Sequence, residues 1–365
     1  MLTLLLSLSS AHATDVMFVG NSYVLWNDLP TVVSEVFEGA EQSVTTGRLA
    51  AGGLSFPDHL ARASDPSSPW YERLVTEGAS RHWVVLQDQS QIPGFPQTQE
   101  QWIRSRDAAI GLNDLVADSG AETMFFVTWG RRDGDAMNPS FYPDFTTMQA
   151  QLTAGYLTYG AATRTEERPV WYAPVGQAWA KIHDDLVEAG EAPVARDTLF
   201  HRLYSDDGSH PSALGTQLTA YVFFSAITGQ SPVGLPTPRG LSDEDASALQ
   251  LAAEAAVFDE TDAFSFPWEL SGDEDTGSSG SDSGSADPDD GDDVASDDGD
   301  GGETPTGDAD ASSGSKEAEK HESSGCASVQ SHPSAWLLSF GLVLVTLRGR
   351  RRSDVLSPSA STSAD

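Results

Sequence analysis

Five short runs, "DVMFV" at 15–19, "SVTTGRLA" at 43–50, "HWVVLQ" at 82–87, "ETMFFVTW" at 122–129 and "PVWYAPV" at 169–175, are separated by segments of helical length and period. Their β-branched and aromatic content reads as strand. The first run stops at Gly20, and Asn27-Asp28 and Pro30 lead into the helical pattern "TVVSEVFEGA". Strands that alternate with helices require right-handed crossovers, and therefore a parallel sheet covered by helices on both faces. The expectation is an α/β protein: a three-layer α/β/α sandwich around a mainly parallel five-stranded sheet. In such sheets sites form outside the carboxyl ends of the strands, so the residues after each run are the ones to inspect.

Composition limits where that fold can lie. From Ser271 to Glu322 there are 18 Asp/Glu against 2 Lys, and Val294 is the only large aliphatic residue. Such a segment buries too little apolar surface to offset chain entropy, so 271–324 reads as a disordered, extended acidic linker. The folded part is expected over 14–270, where 35 acids face 14 bases, a balance of −21. That surface repels phosphate backbones and excludes nucleic acid as a partner. Lys181 is the only lysine among those bases. Cys326, the single cysteine, lies beyond the linker, so the folded part has no thiol nucleophile, disulfide or cysteine metal site. His59, His82, His183 and His201 show no metal-binding spacing, and neither a metal nor another cofactor is expected. Asp206 beside Asp207 could suggest a cation site; in so acidic a chain a solvated loop carboxylate is the preferred reading.

Both ends read as addresses. "LTLLLSL" at 2–8 followed by "AHA" at 11–13 fits a signal peptide over 1–13 that lacks the usual basic start; the competing reading is a buried first strand. Near the carboxyl end come Gly325-Cys326, an apolar run from Ala335 to Leu347, and "RGRRR" at 348–352, ahead of a disordered tail at 353–365. The run is shorter than the ~20 residues that span a bilayer comfortably, and the arginines would hold the carboxyl end on the cytoplasmic side. The layout of 325–352 resembles the MYXO-CTERM sorting signal. That resemblance implies a sorting protease acting near Cys326 as a partner, and an exported chain at the cell surface or outer membrane, or released from it. A plain C-terminal membrane anchor is the alternative. In either case membrane contact is through this segment only.

The tripeptide "HPS" occurs twice, at 210–212 and 332–334. Asp207 stands three residues before His210, whereas Val329 holds that place in the second copy and offers no acceptor to an imidazole. After the first run, "GNSY" puts Ser22 at the mouth of a helix, where N–H groups and the helix dipole favour developing negative charge. Gly53 follows the second run with an unobstructed N–H. "QDQS" after the third offers two carboxamides, Gln87 and Gln89. Asp207-x-x-His210 comes after the fifth, just ahead of the apolar helix "ALGTQLTAYVFFSAITG". Trp129, Arg131 and Arg132, at the end of the fourth run, are candidate substrate contacts, with core packing and surface charge as the plainer account.

Over Asp15 to Gly229 this order of blocks resembles the SGNH (GDSL-like) hydrolase family. The resemblance implies a flavodoxin-like SGNH architecture and a serine esterase. In that reading Ser22 is nucleophile and first oxyanion donor, Gly53 the second donor, Gln89 the best-aligned third donor with Gln87 as the other choice, His210 the base and Asp207 its orienting acid. The substrate class implied is an acyl ester, O-acetyl included, of carbohydrate or lipid. Two departures stand out: "GNSY" replaces Gly-Asp-Ser-Leu, and no Gly-x-Asn-Asp follows the third run. The "GLND" at 111–114 sits in "DAAIGLNDLVADSG", whose apolar spacing is helical, and is a decoy. The altered third block motivates a reading of another class: an inactive surface protein that binds carbohydrate or mediates adhesion on the same fold.

Overall fold

The computed structural model describes residues 14–259 and 263–271. The expected leader at 1–13, the acidic linker past 271, the sorting signal at 325–352 with Cys326, and the tail at 353–365 lie outside the described residues. No helix among the described residues is long and apolar enough to cross a membrane.

Five strands, β1 (Thr14–Gly20), β2 (Val44–Ala50), β3 (Trp83–Leu86), β4 (Glu122–Phe126) and β5 (Trp171–Ala173), form one sheet in the order β2-β1-β3-β4-β5. All four pairings are parallel, with Phe18 of β1 opposite Val85 of β3 and Val85 opposite Met124 of β4. Side chains alternate between faces along a strand. Phe18 and Phe126 therefore share one face and meet Phe223 edge-on, with ring centroids 5.1 and 5.0 Å away. Phe125 points to the other face, toward Phe56 and Tyr156. Both faces being covered explains why β1, β3, β4 and β5 are largely apolar rather than alternating, whereas the edge strand β2 exposes Thr45 and Arg48.

The first face carries the helices Leu29–Gly39, Val175–Glu188, Ala213–Thr228 and Asp243–Phe258; the second carries Phe56–Ala63, Glu100–Asp118 and Phe145–Thr163. This is the three-layer sandwich expected. Ala213–Thr228 is the most enclosed helix, buried from Gly215 to Ala226, and ends at Gly229, whose φ of +67° supplies the left-handed cap. Gly111–Asp114 lies inside the Glu100–Asp118 helix, where Asn113 bonds Thr123 and Thr163, so "GLND" is structural.

Asp243–Phe258 had no counterpart in the strand and helix pattern read from sequence. Ser242 caps it through the N–H of Asp245, and Asp243, Glu244 and Asp245 fill its first turn, where acids complement the helix dipole. Arg202 grips Asp245 with two hydrogen bonds of 2.8 and 2.6 Å. At the β5 edge the segment around Ser265 donates to Val170 and accepts from the N–H of Tyr172, which covers an otherwise open strand.

The connection from β1 runs outward to β2, whereas β3 lies on the other side of β1. This reversal is the topological switch point, and the crevice at the carboxyl ends of β1 and β3 is where open α/β sheets place their sites.

Candidate active site

β1 ends at Gly20. A Cβ there would come within 2.5 Å of Gln87 Oε1 and 2.7 Å of Val24, so only glycine lets the chain turn so close to β3. The next residue, Asn21, is buried and satisfies four partners. Its backbone N–H donates to Gln87 Oε1 at 2.9 Å, and its Oδ1 accepts from the N–H of Tyr23 at 3.2 Å. Its side-chain Nδ2 donates to the carbonyls of Leu54 and Asp88, both at 3.1 Å. One carboxamide thus ties the loops after β1, β2 and β3 together, and a carboxylate, which has no donor, could not. That is a physical reason for asparagine at position 21.

Ser22 opens the short helix Ser22–Leu25, so its N–H has no intrahelical partner. Its hydroxyl lies 2.8 Å from Nε2 of His210, and Nδ1 of His210 lies 2.5 Å from Asp207 Oδ2. The other oxygen of Asp207 accepts from the N–H groups of Ser209 and His210, both at 2.9 Å. Partial burial alone would raise the Asp207 carboxyl; the imidazole and the two N–H groups outweigh it and hold the group below the usual carboxylate range.

The 207–210 turn is held from behind. Trp129 Nε1 donates to the carbonyl of Ser209 at 3.0 Å, the Tyr23 hydroxyl meets Ser209 Oγ at 3.0 Å, and the N–H of Arg132 donates to the carbonyl of Gly208 at 2.9 Å. Tyr23, Trp129 and Trp179 stack almost parallel, with centroids 4.5 and 4.3 Å apart. Trp129 is fully buried in this stack, which corrects its candidacy as a substrate contact: the stack holds its ring on both faces. Arg131 pairs with buried Asp135 at 2.7 Å and Arg132 with Asp133 at 2.8 Å. Arg131 and Asp133, together with Asp135, Asp207 and Ser209, line a cavity of about 320 Å³ beside the turn.

Gly53 is exposed, with a φ of +73° in the loop after β2, next to Leu54 whose carbonyl Asn21 binds. The two carboxamides differ. Gln87 is fully buried and spent on structure: it accepts from Asn21 and donates to the carbonyl of Asp88. Gln89 is only partly buried; its Nε2 donates to Gln91 Oε1 at 2.8 Å and its Oε1 accepts from the N–H of Gln91 at 2.8 Å. That pairing uses one of the two amide N–H groups.

Asp88, between them, had no sequence signal beyond lying in "QDQS". It is fully buried and accepts from the N–H groups of Phe56 and Gln89, each at 2.8 Å, and from Ser105 and Tyr159. Burial outweighs these bonds and pushes it up to about 6. His59, buried behind the first loop, accepts from Trp70 Nε1 at 3.1 Å, and burial drives it down to about 4. Among the described residues no group of three or more His, Cys, Asp or Glu is placed to hold a metal ion.

No family model matches the chain, and no curated protein matches its sequence. Solved structures do match. A DUF4886 family protein from Bacteroides uniformis is 15% identical, with 68% of this chain and 96% of that one covered and a TM-score of 0.54. The likeness is one of fold. A protein from Slackia heliotrinireducens described as a candidate SGNH hydrolase is 21% identical over 58% of this chain and 97% of its own, with a TM-score of 0.42. An acetyl xylan esterase is 9% identical over 58% and 99%, with a TM-score of 0.42.

Proposed function

We propose that the protein is a serine esterase in which Ser22, His210 and Asp207 hydrolyse acyl esters through a covalent acyl-enzyme. The observation that carries this reading is the continuous pair of short contacts from Asp207 through His210 to Ser22, 2.5 and 2.8 Å, at the switch point of the sheet.

Asp207 accepts from Nδ1–H of His210 and so leaves the Nε2 lone pair facing the serine. His210 takes the Ser22 proton as Oγ bonds to the ester carbon. The tetrahedral oxyanion is met by the N–H groups of Ser22 and Gly53 and the remaining amide N–H of Gln89. The C–O bond to the alcohol then breaks, and the alcohol leaves with the proton from His210. Water attacks the acyl-enzyme with His210 again as base, the acid departs, and Ser22 recovers its proton.

The two ends of the chain support export, display at the cell surface and processing near Cys326 as part of the same proposal. A fluorophosphonate probe on the full chain is the test. Labelling of wild type at Ser22, absent in Ser22→Ala together with ester hydrolysis, is expected. An unlabelled protein that retains polysaccharide would instead identify a binding module.

A further inference from the structure

Directly after the Ser22 helix, Trp26 lays its indole on the imidazole of His210, with centroids 4.3 Å apart and planes 20° from parallel. Tyr23 meets the same imidazole edge-on at 5.7 Å, and behind Tyr23 the stack continues through Trp129 to Trp179. Trp26 is the outermost ring of this series and is 41% exposed, whereas Tyr23, Trp129 and Trp179 are buried. A half-exposed indole stacked on this imidazole, beside the Ser22 hydroxyl, leaves a flat apolar face open to a ligand.

The backbone is bent to keep it there. Asn27 and Asp28 both take left-handed conformations, with φ of +53° and +54°, at a cost of about 1 kcal/mol or more each. Asn27 Nδ2 donates to the carbonyl of Pro211 at 3.1 Å and to Thr216 Oγ1 at 2.9 Å, which ties the bend to the residues that follow His210. Asp28 is clamped by Arg48 of β2 and by the Thr31 hydroxyl. The ring is therefore preorganised, and a ligand that stacks on it finds little freedom left to lose.

We infer that Trp26 is a specificity-determining platform for the alcohol half of the ester, and that this half is the ring of an uncharged sugar. The inference rests on the esterase reading above. The apolar face of a pyranose matches a flat, half-wet indole, while the charged groups of Arg131 and Asp133 in the cavity beside the 207–210 turn suit sugar hydroxyls better than an acyl chain. The carboxylates there, in a domain of net charge −21 over 14–270, disfavour anionic alcohols.

The test compares Trp26→Ala and Trp26→Phe with wild type on two acetyl esters, methyl 6-O-acetylglucoside, whose ring keeps its other hydroxyls, and ethyl acetate, which has no ring. The expected result is a wild-type preference in kcat/KM for the glucoside that drops roughly 3- to 10-fold in Trp26→Ala, mainly through KM, and is partly restored by Trp26→Phe. An equal fall on both esters would reduce Trp26 to a cover for His210 and overturn the platform, as would a wild type with no preference. Binding of the same glucoside to Ser22→Ala protein, with and without Trp26→Ala, reads the platform without chemistry, and equal affinities overturn it. Absence of both turnover and fluorophosphonate labelling in wild type, with glucoside affinity still lost in Trp26→Ala, refutes the esterase reading and leaves the platform standing.

Discussion

Asn21 donates its side-chain N–H to the carbonyl of Asp88, 3.1 Å away, and in doing so joins the loop that bears Ser22 to the loop that bears Gln89. The same nitrogen serves Leu54, next to Gly53. Asn21→Asp would leave the carbonyl of Leu54 without its donor and that of Asp88 with Gln87 alone, and set a negative charge against both. Removing a partner from a buried polar group costs about 1–3 kcal/mol. The variant is expected to lose at least ~2 kcal/mol in urea unfolding; an unchanged midpoint would show that the three loops do not depend on this residue.

Asp207 Oδ2 lies 2.5 Å from Nδ1 of His210, and in the proposed mechanism it orients the ring and favours the Nδ1–H form. Asp207→Asn keeps the size and loses that acceptor, so turnover is expected to fall about 10³- to 10⁴-fold while KM changes little. Steady-state kinetics on a short acyl ester decide it, and a loss under tenfold would mean that Asp207 has no orienting role.

The two carboxamides should separate cleanly. Gln89→Ala is expected to lower turnover ~10²- to 10³-fold with little effect on stability, the size of effect seen when one oxyanion donor is removed. Gln87→Ala removes an acceptor for the buried Asn21 N–H and is expected to lower the unfolding midpoint. If the Gln89 variant kept full turnover, Gln89 would not be a donor.

Stability between pH 4 and 6 has two opposed contributors. The Asp88 carboxyl is raised to about 6, so the folded state holds its proton more tightly; this contribution is complete below about 4 and is lost as pH rises through about 6. His59 is lowered to about 4, so its contribution is complete above about 6.5 and is lost as pH falls toward 4. Each amounts to roughly 3 kcal/mol over its full range, and together they leave a shallow profile. Asp88→Asn should expose the histidine slope, with stability falling on acidification from pH 6 to 4. His59→Gln should expose the reverse. Urea unfolding of both variants at pH 4, 5 and 6 checks the pair, and parallel profiles would refute it.

The sheet was legible because β1, β3, β4 and β5 are buried on both faces, and burial leaves largely apolar runs that need no tertiary knowledge to find, while β2 was marked by its β-branched residues. The positions of Ser22, Asp207 and His210 were legible for a related reason: each follows a strand end or precedes a helix start, where local spacing alone marks the chain. The choice between Gln87 and Gln89 depends on whether the chain leaves the core one residue or three past Leu86, and "QDQS" is polar throughout. Trp129 was open to a surface reading because nothing near it in sequence shows that Tyr23 and Trp179 will enclose it. The approach of Trp26 to His210 depends on two left-handed residues that are not glycine, a conformation no local pattern announces. The Asp243–Phe258 helix could have been found from Ser242 and the three acids after it, a start signal that its alanine-rich, weakly sided pattern obscured.

Ser22 and His210 are 188 residues apart along the chain yet share one hydrogen bond. A ribosome adding roughly 5–20 residues per second makes the serine some 10–40 seconds before its imidazole. Until the turn at 207–210 is made, the Ser22 hydroxyl lacks its imidazole partner. On the proposed esterase reading, a prematurely terminated chain would carry the nucleophile without the means to use it.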